Sequence, residues 1–512
     1  MNFAELIDEF EKHDGRYAFG VPGGGESLVM LDALENAGGR FIATGHETTA
    51  ALMAGSFSRL TKTPSAAISI KGPGFANLFP GLLSNSYEGY PQLSFSEAYA
   101  PGTRRSHKQL DHENLCRGIV RAFHRFDPGP GFLTRCWADA RSEFPGPVHV
   151  DLTPRTERSG SGPVPSAPTG SLSELGNRLK DKTRPALIVG SIALRSSWRE
   201  TLQALEIPVF TTVAAKGAIP EIGPFAAGIY TGDGKPLSPE KVILQHADCV
   251  VAIGVRSGEI LSVAPPHAET IAVDRAGVAA FPPDLTIGRV DLTEEELHEL
   301  LGLLQEIHWG EVEVAGTREN LRERIFEWGW SPAEAFRAAQ EKLPKAIHVM
   351  DTGNFTVLAE HLLTVRSEED VLGTPNGRFM GAGVGYALGA CLNPERRRVI
   401  LWIGDGGIRA FFGELALAIE NNWPLIVAVM KDGHYGSIRG RAMEKGLSTA
   451  PLALSDRPLA KTAEAMGMRA SRIESLGGFE KHLSSSLVED GPSLVECFFD
   501  SETYNATAGL LR

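Results

Sequence analysis

The chain has 512 residues, room for about three domains at roughly 150 residues each, and is 42% apolar and 22% charged with a mean hydropathy near zero, which excludes disordered and fibrous classes. Asp and Glu outnumber Lys and Arg by 63 to 50, a formal charge of −13, and so large an acidic excess argues against nucleic acid or an anionic membrane as the main partner. The five cysteines, Cys116, Cys136, Cys249, Cys391 and Cys497, lack CxxC spacing and fit a reducing compartment rather than a disulfide framework or a zinc site. The opening MNFAELIDEFEKHD is acidic and amphipathic, unlike a signal peptide, so a cytoplasmic location is expected. No apolar run approaches the ~18 residues of a membrane span.

Two composition breaks divide the chain. Ser159 to Ser171 (SGSGPVPSAPTGS) reads as a linker, and the charged stretch from Trp309 to Trp330 reads as a helix with a connection, ahead of a helix opening at Ser331-Pro332. The expected domains are therefore 1–160, 172–308 and 331–512. Each alternates short β-branched runs with helical patterns. The first carries RYAFGV, RFIAT, SAAISI and PVHVDL, the second PALIVGS, PVFTTV, CVVAIGV and ETIAVD, and the third AIHVMD, RVILWIGD, LIVAVMK and SLVECFF. Such alternation predicts an α/β fold class of three open parallel-sheet domains, in which ligands bind at the carboxyl ends of strands.

In chain order, the first chemical signals are VPGGG (Val21 to Gly25), the His46-Glu47 pair at a strand-to-helix turn, and Gly72-Pro73-Gly74 followed by Asn77. Glu47 suits a first helical turn through the macrodipole, and it equally suits proton transfer. His46 is open to the same two readings, structural or proton-transferring. Arg104, Arg105, His107 and Lys108 form a basic cluster that is either a solvated loop or a hold for an anionic substrate. The middle segment has no G-x-G-x-x-G fingerprint, so a flavin dinucleotide there is left open without support.

The third segment holds the most informative run. A buried strand leads into Gly404-Asp405-Gly406-Gly407 and then a helix expected through about Glu420. Glycines and a helix N-terminus favour a phosphate, but a carboxylate beside a phosphate requires a cation between them, which points to a magnesium-type ion. A second strand ends at Asp432-Gly433-His434-Tyr435-Gly436, 27 residues after Asp405, and neighbouring parallel strands would bring the two acids to one sheet edge.

Taken in order, these motifs resemble the thiamine diphosphate-dependent enzymes of the acetolactate synthase, benzoylformate decarboxylase and pyruvate decarboxylase type. The resemblance implies metal ligation by Asp405, Asp432 and the carbonyl of His434, and diphosphate contacts from Gly353, Asn354, Gly404, Gly406, Gly407, Tyr435 and Gly436. The family usually has Asn where Asp432 stands. It further implies that Glu47 pairs with the aminopyrimidine, with Gly24 and Asn77 nearby, that the Arg378 carbonyl accepts a bond from the cofactor's amine, and that Met380 props the cofactor in a bent shape. KGAIPE at Lys216 to Glu221 and VAIGVRSGE at Val251 to Glu259 resemble the family's central domain.

Thiamine diphosphate, Mg2+ and a small-molecule 2-oxo acid substrate follow from the resemblance, with room for a second carbonyl acceptor. Gly24 is what acetolactate synthase-like carboligases usually have at that place, so the expected activity is decarboxylation with acyl transfer. Ser106 to Asp111 departs from the Phe-Gln-Glu of acetolactate synthases, which leaves a simple decarboxylase releasing an aldehyde as the alternative. A non-catalytic paralogue would be expected to lack Glu47 and Asp405, and both are present. The family builds its site between subunits, implying a homodimer or homotetramer.

Overall fold

The structure, a computed structural model, describes residues 3–99, 108, 110–152, 171–195, 199–256, 259–260, 268–273, 285–287 and 294–511. His107, Arg104 and Arg105 lie outside the described residues, as does most of the 159–171 linker.

Three six-stranded sheets, parallel throughout, account for the chain. The first is built from β1 (Tyr17–Gly20), β2 (Arg40–Ala43), β3 (Ala66–Ser69), β4 (Gln92–Glu97), β5 (Ala122–Arg125) and β6 (Pro147–Leu152). The second uses β7 (Pro185–Val189), β8 (Val209–Thr211), β9 (Ala226–Ile229), β10 (Cys249–Ile253), β11 (Glu269–Val273) and β12 (Leu285–Ile287). The third uses β13 (Ile347–Met350), β14 (Val371–Gly373), β15 (Val399–Gly404), β16 (Leu425–Lys431), β17 (Arg469–Ile473) and β18 (Ser493–Phe498).

The first and third sheets share one strand order, β2-β1-β3-β4-β6-β5 and β14-β13-β15-β16-β18-β17. The middle one runs β12-β11-β10-β7-β8-β9, the 3-2-1-4-5-6 order of dinucleotide-binding folds. Helices cover both faces, which is why central strands such as VILWIG and LIVAVMK are apolar at nearly every position and buried along their length.

The first and third domains meet through two helices rich in small residues, Glu47–Thr61 and Ala382–Ala390. A Cβ on Gly385 would lie 2.6 Å from Leu52 Cβ, and one on Gly389 would strike the backbone of Met53, so the two backbones touch where glycine allows it. Polar bonds run along the same seam. Ser84 Oγ and Tyr386 OH are 2.8 Å apart, and Gly377 N–H donates to the buried Glu88 carboxylate at 2.8 Å. Arg59 and Lys62 pair with Glu368 across it. The middle domain is tied on by Lys216, whose Nζ pairs with Glu221 at 2.8 Å and donates to Glu360 O at 3.1 Å.

The expected helix after Gly407 is mostly something else. Ile408–Ala410 and Phe412–Leu415 are 3₁₀ turns and only Ala416–Glu420 is α-helical, because Phe411 leaves helical geometry at φ −132° and the Glu414 carboxylate turns away to accept Gly45 N–H at 3.0 Å. The helix at Ser331-Pro332 does begin there, as Pro332–Lys342, with proline in its first turn, but Ser331 Oγ forms no cap bond.

Candidate functional site

At the carboxyl edge of the third sheet, β15 and β16 run side by side with Gly404 opposite Met430, so the residues just beyond, Asp405 and Asp432, emerge together. Asp405 Oδ2 accepts Gly433 N–H at 3.2 Å, and Asp432 Oδ1 accepts His434 N–H at 3.1 Å. The other Asp432 oxygen is buried with no hydrogen-bond partner among the described residues. Burial, and then the charge of Asp432, pushes the Asp405 carboxyl up to about 6, while burial raises Asp432 against the bond from His434. Two carboxylates that each resist ionisation, one with an orphaned oxygen, fit a hard divalent cation coordinated by oxygen. His434 lies in the same turn, with its ring Nδ1 2.9 Å from the carbonyl of Asp432.

Around this pair the predicted phosphate residues converge. A Cβ on Gly436 would lie 2.7 Å from Asp432 Oδ2 and 2.9 Å from Asn354 Nδ2, and one on Gly406 would lie 2.7 Å from the Tyr435 ring. Space there is reserved by glycine. Gly436 also opens the nine-residue helix Gly436–Glu444, so the helix N-terminus expected after Gly407 is supplied from this turn instead. Asn354, the first residue of helix Asn354–Leu362 behind Gly353, is held by Asn505 Oδ1 at 2.5 Å.

Two anchors were not read from the sequence. Asp351, wholly buried at the end of β13, accepts Gly381 N–H at 2.9 Å and Gly383 N–H at 3.1 Å. These bonds hold the Arg378-Phe379-Met380-Gly381 turn, although burial still pushes the Asp351 carboxyl up to about 7. An acid closing an otherwise apolar strand, in AIHVMD, was the signal. Arg378 has a left-handed φ of 48° and an ion pair with the buried Glu360 at 2.8 Å, while Met380 is 45% exposed. The second anchor is Glu97 at the end of β4. It accepts Gly25 N–H at 3.1 Å and Ser27 Oγ–H at 2.6 Å and pairs with Lys71 at 3.0 Å, fixing the VPGGG turn at the start of helix Glu26–Asn36.

On the first sheet, Glu47 opens helix Glu47–Thr61 and is buried. Its Oε2 accepts Asn77 Nδ2–H at 3.1 Å, and Gly74 lies against Oε1 closely enough that a Cβ there would come within 3.2 Å. Two separate sequence motifs thus meet in one pair. His46 is the N-cap of that helix, its Nδ1 accepting Thr48 N–H at 3.1 Å, which commits that nitrogen to structure. Gly24 faces open space, since a Cβ there would touch nothing.

The middle sheet behaves differently at the same edge. At its switch point between β7 and β10, the Glu259 carboxylate accepts Ser191 N–H at 2.9 Å and Thr212 Oγ1–H at 2.8 Å and pairs with Arg256 at 3.1 Å. An internal carboxylate takes that backbone amide, so among the described residues Ser191 N–H is not free to hold a pyrophosphate there. A cavity of about 370 Å³ lies instead where the three domains meet, lined among others by Arg59, Glu88, Lys216 and Met350. Neither Glu47 nor Asp405 lines it.

Models of the N-terminal and C-terminal thiamine pyrophosphate-binding domains of thiamine pyrophosphate enzymes match residues 1–115 and 351–497, and the model of their central domain matches 172–281. The chain belongs to the thiamine pyrophosphate enzyme family. Among its relatives are a probable acetolactate synthase large subunit of Methanocaldococcus jannaschii, 25% identical across 97% of this chain and 91% of the relative, and the acetolactate synthase of Bacillus subtilis, 25% identical across 96% and 92%. A probable 2-ketoarginine decarboxylase, AruI, of Pseudomonas aeruginosa is 26% identical across 93% and 90%. As a thiamine pyrophosphate enzyme the chain is an α/β protein of three parallel sheets, and none of its described helices is long and apolar enough to cross a membrane.

Proposed function

We propose that the chain binds thiamine diphosphate through Mg2+ at Asp405 and Asp432, decarboxylates a 2-oxo acid and passes the acyl fragment to a second carbonyl. The observation that carries this reading is the pairing of buried Asp405 with half-buried Asp432, whose buried Oδ2 has no partner among the described residues. The pair faces a turn of glycines with room for phosphate, in a chain whose first domain separately holds a buried Glu47 bonded to an exposed Asn77. The cofactor supplies an electron sink for the carbanion left by loss of CO2. Asn77 orients the Glu47 carboxylate by donating to Oε2, which leaves Oε1 to share a proton with the aminopyrimidine. Gly436 and Asn354 contact the diphosphate, and Asp351 holds the turn that presents Met380 and the Arg378 carbonyl.

The surface of the third domain exposes Met380 and, in and just after helix Gly436–Glu444, the apolar Ile438, Met443 and Leu447. We assign this apolar surface to contact with a second copy of the chain, giving a homodimer or homotetramer whose site is completed between subunits. Domain limits of 1–160, 172–308 and 331–512 accord with this arrangement, and five buried free cysteines accord with a cytoplasmic setting. The open space at Gly24 gives an acceptor somewhere to bind and favours transfer. Release of an aldehyde without transfer is the second reading, and it draws on the relative named for 2-ketoarginine decarboxylation.

The test is titration calorimetry of thiamine diphosphate with and without Mg2+, followed by CO2 release from a panel of 2-oxo acids and product analysis. Metal-dependent binding with CO2 release is expected, and an acyloin or 2-hydroxy-2-acyl acid product separates transfer from simple decarboxylation. Absence of binding would overturn the assignment.

A further inference from the structure

Behind the Glu47 end of the site, three ligand-type side chains meet in the interior of the first domain. His149 and Asp151 are alternate residues of β6 and so share one face of the sheet, paired in register with Ser94 and Ser96 of β4. His112 opens the short helix His112–Cys116, its Nδ1 2.7 Å from Asp151 Oδ1 and its ring stacked on Phe75 at 3.9 Å. All three are buried, and one ligand atom from each lies within 4.8 Å of the others.

The hydrogen bonds fix the state of His149. Ser94 Oγ has one proton, which it donates to Val148 O at 3.0 Å, so its contact with His149 Nδ1 at 2.9 Å is one in which the ring donates. Nε2 then carries a lone pair. It is wholly buried, has no hydrogen-bond partner among the described residues, and lies 3.3 Å from Asp151 Oδ1 without the angle of a hydrogen bond. A lone pair and a carboxylate oxygen facing each other in a dry interior repel unless a cation lies between them.

We propose that His112, His149 and Asp151 bind a divalent transition ion of the zinc type. Two imidazoles and a carboxylate suit such an ion and not Mg2+, so the site is chemically distinct from Asp405 and Asp432. The hydroxyl of Ser94 plays the part of the outer partner that fixes a ligand histidine's tautomer. The ion would clamp the chain just after the basic Arg104 to Asp111 stretch onto β6, against Phe75, whose neighbour Gly74 abuts Glu47. Cysteine spacing alone pointed away from zinc because none of the three donors is a cysteine.

The experiment uses untagged full-length protein saturated with thiamine diphosphate and Mg2+. Its zinc content is measured by elemental analysis, and Co2+ is then titrated into zinc-depleted protein and followed by visible absorption. The expected result is about one ion per chain, with the d–d bands of tetrahedral cobalt. His149→Ala should lose them, with its fold checked by thiamine diphosphate binding, and the milder Ser94→Ala should weaken Co2+ affinity by about 10- to 100-fold. A folded wild-type chain without zinc or d–d bands, or unchanged binding in His149→Ala, would overturn the proposal.

Discussion

The first and third sheets have the same strand order, yet their carboxyl edges have opposite chemistry. One presents Glu47, oriented by the amide of Asn77, beside a Glu97 already committed to Ser27 and Lys71. The other presents two carboxylates crowded together, with burial and mutual repulsion lifting Asp405. On the proposed function, a shared scaffold would deliver a proton-sharing group at one edge and a cation hold at the other, and the difference resides in a few residues of the turns. The middle sheet supplies the contrast, because there Glu259 fills the equivalent crevice from within.

If the two edges divide the work in this way, they should fail differently. Glu47→Gln keeps the shape and should lower turnover by about 10²- to 10⁴-fold, while calorimetry still finds metal-dependent cofactor binding. Equal loss of binding would dissolve the distinction. Asp405→Asn should do the reverse, abolishing the Mg2+ dependence of cofactor binding, and Asp432→Asn should retain that dependence because an amide oxygen still ligates.

The seam between the two domains offers a smaller test. Glu88 is buried there, and burial pushes it up to about 7 from 4.5 despite its bonds from Gly377 and Asn376. A carboxyl raised in the folded state holds its proton longer when folded. Stability should therefore fall as pH rises from about 4.5 to about 7, by at most about 3 kcal/mol from this group. Thermal melts of Glu88→Gln across that range should be flatter than those of the parent, with a residual slope from Asp351. Smallest is Lys62→Ala. The side chain is 49% exposed, and a pair so wet is worth less than about 0.5 kcal/mol in denaturant melts.

What could be read from the sequence followed burial. Most of the strands identified in advance are buried apolar runs, from β1 and β3 to β15, β16 and β18, with the edge strand β2 the exception, whereas β5, β9, β12, β14 and β17, which went unread, are all sheet edges. Edge strands need only one apolar neighbour, and RASRI or AFHR accordingly carry polar residues. β4 was missed for another reason, since Ser94 and Ser96 pair with polar partners, His149 Nδ1 and Ser69 Oγ, inside the sheet. At the site, Asp405, Asp432, Glu47 and Asn77 were legible because turn glycines flag them. Asp351, Glu97 and Asn505 were not, because each works by gripping backbone or another side chain far away in sequence. No local pattern records the grips of Glu97 and Asn505, and for Asp351 the only trace is an acid closing the strand AIHVMD.

The glycine contacts between Glu47–Thr61 and Ala382–Ala390 bear on motion as well as packing. Two helices that meet backbone to backbone have no long side chains to repack as one slides past the other, so the first and third domains of one chain behave as a single stiff body. Any opening that admits substrate must then be borne by hinges elsewhere, in the turns at the carboxyl edges or between one copy of the chain and the next.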